Sequence, residues 1–165
     1  MTTTGEGGPW VLLSYRMPRE PSTPRIGIWR KLKRLGVAQL SDGLVALPAD
    51  ARTREHLEWI ADEVIEAGGA ATIWLAQPAS TAQERALAQT MAHARAAEYA
   101  AVLAQAEQAR AADEATKRRV LRKLRSELRR IHRRDYFPPP GRRTAETAVN
   151  SLHPEHPDNE ESEPA

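Results

Sequence analysis

The 165-residue sequence contains no cysteine, and this absence excludes several kinds of chemistry. Disulfide bonds, thiolate metal sites, thiol redox exchange and cysteine nucleophiles all require a thiol group. The sequence also shows no glycine-rich phosphate loop and no serine–histidine–acid motif. We therefore expect a protein that is not an enzyme and that carries no bound cofactor.

Long hydrophobic runs are missing as well. No apolar stretch approaches the roughly 18 residues that a membrane-spanning helix needs. The N-terminal sequence MTTTGEGGP lacks the basic and apolar regions of a signal peptide. These two features predict a cytoplasmic protein without a membrane segment.

Acidic charge is scarce in the body of the chain and concentrated at its end. From Arg142 onward there are two basic and six acidic residues, a net charge of −4. The whole chain carries +2, so residues 1–141 carry +6 by subtraction. A basic body of this kind favours an anionic partner.

The first half of the sequence begins with the pattern of a strand, a helix and a hairpin. The apolar run at 10–15 is rich in strand-forming residues. Residues 25–35 place apolar side chains three or four positions apart, which predicts an amphipathic helix that ends at Gly36. Asp42 and Gly43 lie between two apolar stretches. This dipeptide is typical of a type I′ hairpin turn, in which both central residues have positive φ.

A second helix and a fourth strand complete this pattern. Asp50 or Thr53 is suited to cap a helix, and Gly68 marks its end. Residues 71–75 then form an apolar run that predicts a strand. The resulting order, β-α-β-β-α-β over residues 9–77, is that of the ferredoxin-like arrangement. We therefore expect an α+β fold with a ferredoxin-like domain.

The second half of the sequence predicts a helical extension over residues 79–137. An alanine-rich stretch at 80–110 favours one long helix, because alanine has the highest helix propensity. Residues 115–134 predict a second helix, with a narrow apolar stripe among ten lysines and arginines. The prolines after Phe137 end it.

The two ends of the chain have compositions typical of disorder. Residues 1–8 are small, polar and rich in glycine. Residues 138–165 contain proline and become acidic, so we expect a mostly disordered tail. A short helix over 144–152 is compatible with the pattern inside this tail.

Three motifs resemble the amino-terminal domain of the ChrB-type chromate-resistance regulators. They are WVLLSYRMP at 10–18, RIGIWRKLKRLGVAQLSDGLVALP at 25–48 and IHRRDYFPPPG at 131–141. More distantly, the sequence resembles the ferredoxin-like domain of phenylacetate-type repressors. The first resemblance implies a DNA-binding transcriptional regulator linked to chromate resistance. It also implies an effector that is chromate or another oxyanion.

The sequence departs from this family in one respect. Longer members carry a second, carboxy-terminal domain, expected after the Asp-Tyr-Phe-Pro motif. Here only about two dozen residues follow that motif. If the missing domain senses chromate, the chain is expected to bind DNA without sensing it.

The basic helix at 115–134 contains the first set of candidate nucleic-acid ligands. Arginines neutralise phosphates and release counterions, which gives sequence-independent affinity. Two other interpretations are charge pairing, either within the chain or with a partner, and plain solvation of the helix. The candidates on this helix are Arg118, Arg122, Arg125, Arg129 and Arg133.

The helix at 25–35 contains the second candidate set. It would lie along the phosphate backbone or enter the major groove, and the alternative is ordinary outward-facing charge. Trp29 on this helix is expected in the core rather than stacked on a base. The candidates are Arg25, Arg30, Lys31, Lys33 and Arg34.

A metal-dependent nuclease of this fold needs a carboxylate at the end of the first strand to hold a hard cation. This chain has Arg16 near that position, which would repel a divalent metal. We therefore predict neither a metal site nor nuclease activity.

Two functions from different classes remain. The first is a DNA-binding regulator linked to chromate or a similar oxyanion. The second is a non-enzymatic dimeric interaction or structural protein with solvated basic helices. Under either hypothesis, the long helices offer more apolar surface than a small sheet can cover, so we expect a homodimer.

Overall fold

The computed structural model describes residues 7–154, which fold into an α+β protein with one four-stranded antiparallel sheet and five helices. The outermost residues of the predicted disordered ends, 1–6 and 155–165, lie outside the described residues. The elements in chain order are β1 (Trp10–Arg16), α1 (Ser22–Leu35), β2 (Ala38–Ser41), β3 (Leu44–Pro48), α2 (Ala51–Glu66), β4 (Ala70–Ala76), α3 (Thr81–Ala109), α4 (Glu114–Arg133) and α5 (Gly141–Asn150).

These elements belong to two compact units. The described part of unit 1 comprises residues 7–92 and 134–137, and that of unit 2 comprises residues 93–133 and 138–154. Sequence analysis ends the first domain at residue 77 and begins the helical extension at residue 79. The structure places it inside α3, whose first turns belong to unit 1 because Leu87 and Met91 join its core.

The sheet of unit 1 has the strand order β2-β3-β1-β4, and every neighbouring pair is antiparallel. Val11 and Leu13 of β1 are fully buried and share one face of the sheet. Leu32 of α1 and Leu57 of α2 belong to the same core cluster, so these helices cover that face.

The predicted hairpin is present, but its turn is not of type I′. Gly43 has a φ of 72°, whereas Asp42 does not have positive φ. Pairing shifts register between Gln39 and Ser41, which places one additional residue in β2. A side chain at position 43 would also meet the carbonyl oxygen of Tyr15 at 2.4 Å, so this site requires glycine.

A capping box defines the start of α2. The backbone N–H of Thr53 donates to Asp50 Oδ1 (2.7 Å), and the backbone N–H of Asp50 donates to Thr53 Oγ1 (2.9 Å). The Thr53 hydroxyl donates in turn to the carbonyl of Pro48 (2.7 Å). This network explains why a hydroxyl is fully buried there, and it confirms the predicted cap.

The Asp-Tyr-Phe segment returns to unit 1 from far along the chain. The Phe137 ring stacks on Trp10, with centroids 5.9 Å apart. The Tyr136 hydroxyl donates to the carbonyl of Leu35 at the end of α1 (3.3 Å). Residues 134–137 therefore help to close the core of unit 1, whereas the sequence assigns them to the helical extension.

Unit 2 is built from the second part of α3 together with α4 and α5. Tyr99 and Val102 of α3 cluster with Leu124 of α4 and Val149 of α5. Asp113 caps α4 by accepting from the backbone N–H of Thr116 (2.7 Å). The apolar stripe of α4 is therefore covered within this unit.

Helix α5 lies inside the segment that the sequence predicts to be mostly disordered. Ala145, Val149 and Leu152 are buried, and Arg142 Nε donates to Glu146 Oε1 (3.0 Å). The disorder prediction is too broad for residues 141–150, because the buried partners of this short helix come from elsewhere in unit 2. Within residues 7–154, no helix is long and apolar enough to span a membrane.

The capping box gives a direct stability prediction. Replacing Asp50 by alanine should lower the free energy of unfolding by about 1 kcal/mol, because an N–H at the start of α2 loses its acceptor. Chemical denaturation at neutral pH measures this loss. Asp50→Asn is the control: it keeps an acceptor oxygen and should remain close to the parent protein.

The same site predicts a pH dependence. The hydrogen bond from the Thr53 backbone holds the pKa of Asp50 below its usual value. A lowered pKa stabilises the fold above the ordinary pKa of the carboxyl group, and this contribution disappears as pH falls through the folded-state pKa. Asp50→Asn should remove that part of the acid sensitivity. An unchanged stability–pH profile would contradict the assignment.

Candidate nucleic-acid interface

The candidate residues of α1 do not form one surface. Arg30, Lys33 and Arg34 are exposed on the side of the helix opposite Ile28 and Leu32, which are buried. Lys33 and Arg34 lie in the last turn, where positive charge is favoured by the helix dipole. These three cations form the exposed basic face of α1.

Lys31 does not belong to that face, because it forms an ion pair with another helix. Its Nζ contacts Glu63 Oε2 of α2, and both side chains are partly exposed. Lys33 Nζ lies 5.4 Å from the centre of the Trp29 ring, a cation–π distance. Trp29 is only partly buried and lines a cavity of unit 1 without joining the core cluster, so the prediction that it belongs to the core is wrong.

Arg25 belongs to a different feature, a cavity of about 440 Å³ in unit 1. The cavity lies where the end of β1, the first half of α1 and the β2–β3 turn meet. Arg16 and Arg25 supply its positive charge, Asp42 supplies a negative charge, and Tyr15 and Trp29 supply aromatic surface. Sequence analysis considered Arg16 only as an obstacle to metal binding.

Tyr15 remains a neutral hydrogen-bonding group in this cavity. Burial raises the pKa of its phenol, and the nearby carboxylate of Asp42 raises it further. Both effects disfavour the phenolate. The cavity therefore combines two guanidinium groups with a phenol hydroxyl, which are all hydrogen-bond donors to an anion.

The candidate arginines of α4 do form one continuous surface. Their spacing of three or four residues places them within roughly 80° of the helix circumference, at 3.6 residues per turn. All five are exposed, and none makes an ion pair with any residue that the structure describes. We call this surface the arginine stripe; it consists of Arg118, Arg122, Arg125, Arg129 and Arg133.

The apolar side of α4 explains the orientation of the stripe. Leu121, Leu124, Leu128 and Ile131 are buried in unit 2, which fixes the rotation of the helix about its axis. The arginine stripe must then face solvent. The stripe spans about 22 Å along the helix, at 1.5 Å per residue.

The other exposed cations of α4 have partners, unlike the stripe. Arg130 pairs with Glu127 (3.3 Å), and Lys123 Nζ donates to Gln105 Oε1 (3.1 Å). Hydrogen bonds from Thr116 lower the pKa of Asp113, and the positive charge of Arg119 adds a smaller effect in the same direction. Glu127 therefore pairs with Arg130 and does not neutralise the arginine stripe. The sequence alone could not establish which cation Glu127 pairs with.

No cluster of three or more histidine, aspartate or glutamate side chains suited to a metal ion occurs in residues 7–154. At the end of β1, the position that a carboxylate would need for metal chemistry carries the exposed guanidinium of Arg16. The described geometry is therefore that of two separate basic surfaces and one cavity containing arginine.

Comparison with known proteins places the chain beside one family. The family model described as "Protein ChrB, N-terminal" matches residues 25–161. A curated protein from Cupriavidus metallidurans, "Protein ChrB", is 32% identical over 136 residues. This alignment covers 78% of the present chain and 40% of the relative, so the chain spans well under half of that protein. No solved structure matches the present chain.

The Lys31–Glu63 pair yields a prediction about polyanion binding. Glu63→Gln should free Lys31 to join the basic face of α1 and should raise the salt concentration that elutes the protein from immobilised heparin. The exposed pair contributes little to stability, so folding should be almost unchanged. Salt-gradient elution measures the effect.

Glu58→Gln is the matched control for this experiment. Glu58 also lies on α2 and pairs with an exposed cation, Arg54 (2.9 Å), but that cation is not on α1. Both variants add the same net charge. Equal shifts for both would mean that overall charge, and not the basic face of α1, determines retention.

Proposed function

The chain belongs to the ChrB amino-terminal family, and from this premise we propose that it is a DNA-binding transcriptional regulator linked to chromate resistance. Membership of the family supports the link to chromate resistance and regulation. DNA binding is our own inference from the arginine stripe. The observation that carries it is the exposure of five aligned arginines without an ion-pair partner among residues 7–154.

The arrangement of the stripe suits the phosphate backbone. Double-stranded DNA carries a charge about every 1.7 Å along its axis, so a stripe of about 22 Å faces many phosphates. Guanidinium groups bind phosphate oxygens in a bidentate manner. The exposed basic face of α1 is a second phosphate-binding surface, made of Arg30, Lys33 and Arg34.

We also propose that unit 1 has the ferredoxin-like topology. Its elements follow the order β-α-β-β-α-β, and its strands lie in the order β2-β3-β1-β4. With two helices packed on the face formed by Val11 and Leu13, both orders are consistent with that arrangement.

An oxyanion effector, chromate or a similar tetrahedral dianion, is part of the proposal. The cavity at Arg16 and Arg25 supports it, because two arginines and the neutral Tyr15 hydroxyl offer several donors. The effector would then bind unit 1, whereas the arginine stripe belongs to unit 2.

A catalytic role is not part of the proposed function. Phosphodiester cleavage by metal ions needs carboxylates that hold the cation. Arg16 at the end of β1 opposes this and argues against nuclease activity, and we propose a non-enzymatic protein. A DNA-binding regulator would act in the cytoplasm. The alternative is an interaction protein whose basic helices are only solvated, and the salt dependence of DNA binding separates these two functions.

Three arginines of the stripe provide the test. Replacing Arg122, Arg125 and Arg129 by glutamine should flatten the log–log dependence of DNA affinity on salt by about 2.7, at roughly 0.9 per phosphate contact. Fluorescence anisotropy with a duplex at several salt concentrations measures both affinity and slope.

The matched control removes the same charge from the flank of α4 next to the stripe. Arg119, Lys123 and Arg130 already interact with residues of unit 2, so their replacement by glutamine should change the slope much less. If both triple variants have the slope of the parent protein, α4 does not contact DNA. The interaction-protein function would then be preferred.

The acidic end of the chain gives a separate prediction. Ending the chain after Pro154 removes five acidic residues, Glu155, Asp158, Glu160, Glu161 and Glu163. Non-specific DNA binding should become tighter, because these carboxylates no longer compete for the arginines. The deletion keeps α5, whose Val149 and Leu152 are buried. Weaker or unchanged binding would contradict this competition.

A further inference from the structure

The two edges of the sheet in unit 1 differ in how they are protected. At one edge, β2 has only four residues, and its pairing contains a register shift. Short length and bulging are the usual means by which proteins make an edge unsuitable for further pairing. At the other edge, β4 pairs with β1 over seven residues without interruption.

The sequence of β4 also lacks protection. Its residues are Ala-Ala-Thr-Ile-Trp-Leu-Ala, with no charge, no proline and no glycine. Trp74 is 54% exposed and Leu75 is 57% exposed, and they lie on opposite faces of the sheet. A long, regular, apolar edge with unpaired backbone groups is a template for another strand.

We propose that β4 pairs with β4 of a second copy of this chain, so that two sheets join into one of eight strands. An antiparallel pair of identical strands is related by a two-fold axis and is therefore self-complementary. The absence of charge on β4 matters here, because a charged edge residue would meet its like-charged copy near the axis. This inference does not depend on the proposed function.

The full overlap of seven residues fixes the register of this pairing. With the two-fold axis at Ile73, the central residue, Thr72 lies opposite Trp74 of the second copy, and Ala71 lies opposite Leu75. Each large side chain thus meets a small one across the interface, which favours close packing of cross-strand pairs. Ile73 meets its own copy on the axis.

The size of the contact predicts its strength. Strand-edge contacts with a few flanking side chains fall below the roughly 1,200 Å² of a standard stable interface. The dimer should therefore be reversible and depend on concentration. The apolar stripe of α4 supplies no competing interface, because its leucines are already buried in unit 2.

The first experiment is sedimentation equilibrium of the full chain across a range of micromolar concentrations, without nucleic acid. The parent protein should approach twice its 18.3 kDa mass as concentration rises. Leu75→Lys should raise the dissociation constant by about tenfold or more, because a lysine replaces apolar contact in both copies.

Leu40→Lys on β2 is the matched control. Leu40 is 43% exposed and lies on the strand at the opposite edge of the sheet, so the same substitution is made at an exposed leucine three strands away from β4. It should leave the dissociation constant within about twofold of the parent value. A parent that is monomeric throughout overturns the proposal, and so do equal effects of the two variants or a dimer unaffected by Leu75→Lys.

The second experiment uses the absence of cysteine. Ile73→Cys introduces a single thiol at the proposed two-fold axis, and mild oxidation should link two copies through it. Leu40→Cys on β2, at the opposite edge of the sheet, should give no comparable dimer. Thermal unfolding confirms that both variants fold, and the sedimentation experiment stands independently if Ile73→Cys does not. A folded Ile73→Cys protein that forms no more disulfide dimer than Leu40→Cys overturns the register.

Discussion

The burial of four aliphatic side chains on α4 controls the electrostatics of unit 2. Leu121, Leu124, Leu128 and Ile131 can be removed from water together only if the helix turns this side toward α3 and α5. That rotation leaves the arginine stripe no position except the solvent-facing side. Apolar burial thus determines the location of positive charge, and exposed guanidinium groups avoid the cost of desolvation that buried ones would have.

Unit 1 is subject to a different constraint, which is the closure of a small core. Four short strands and two helices bury few residues, and the chain completes this core with Phe137 on Trp10 and Tyr136 on the end of α1. The Asp-Tyr-Phe motif therefore has a structural role that is separate from any contact with a ligand.

The two cores place the positive charges of α1 and α4 in different environments. Helix α1 distributes its cations among three environments, namely an exposed face, an ion pair with Glu63 and the cavity at Arg16. Helix α4 keeps its arginine stripe free of ion pairs with described residues. A polyanion would meet α4 as the more continuous surface, while the cavity in unit 1 suits a small anion.

Local chemistry in the sequence determined the elements of this protein. Helical periodicity, the Asp50 cap, the glycine after Leu35 and the alanine-rich stretch all act over a few residues, so the strands and α1 to α4 could be predicted. The family was also recognisable from three motifs. Long-range packing decided the remainder. The return of Tyr136 and Phe137 to unit 1, the folding of α5 and the pairing of Lys31 with Glu63 depend on residues far apart in sequence. The cavity of unit 1 likewise forms only where β1, α1 and the β2–β3 turn come together. Periodicity carries no information about such contacts, because they are fixed only when separate elements pack together.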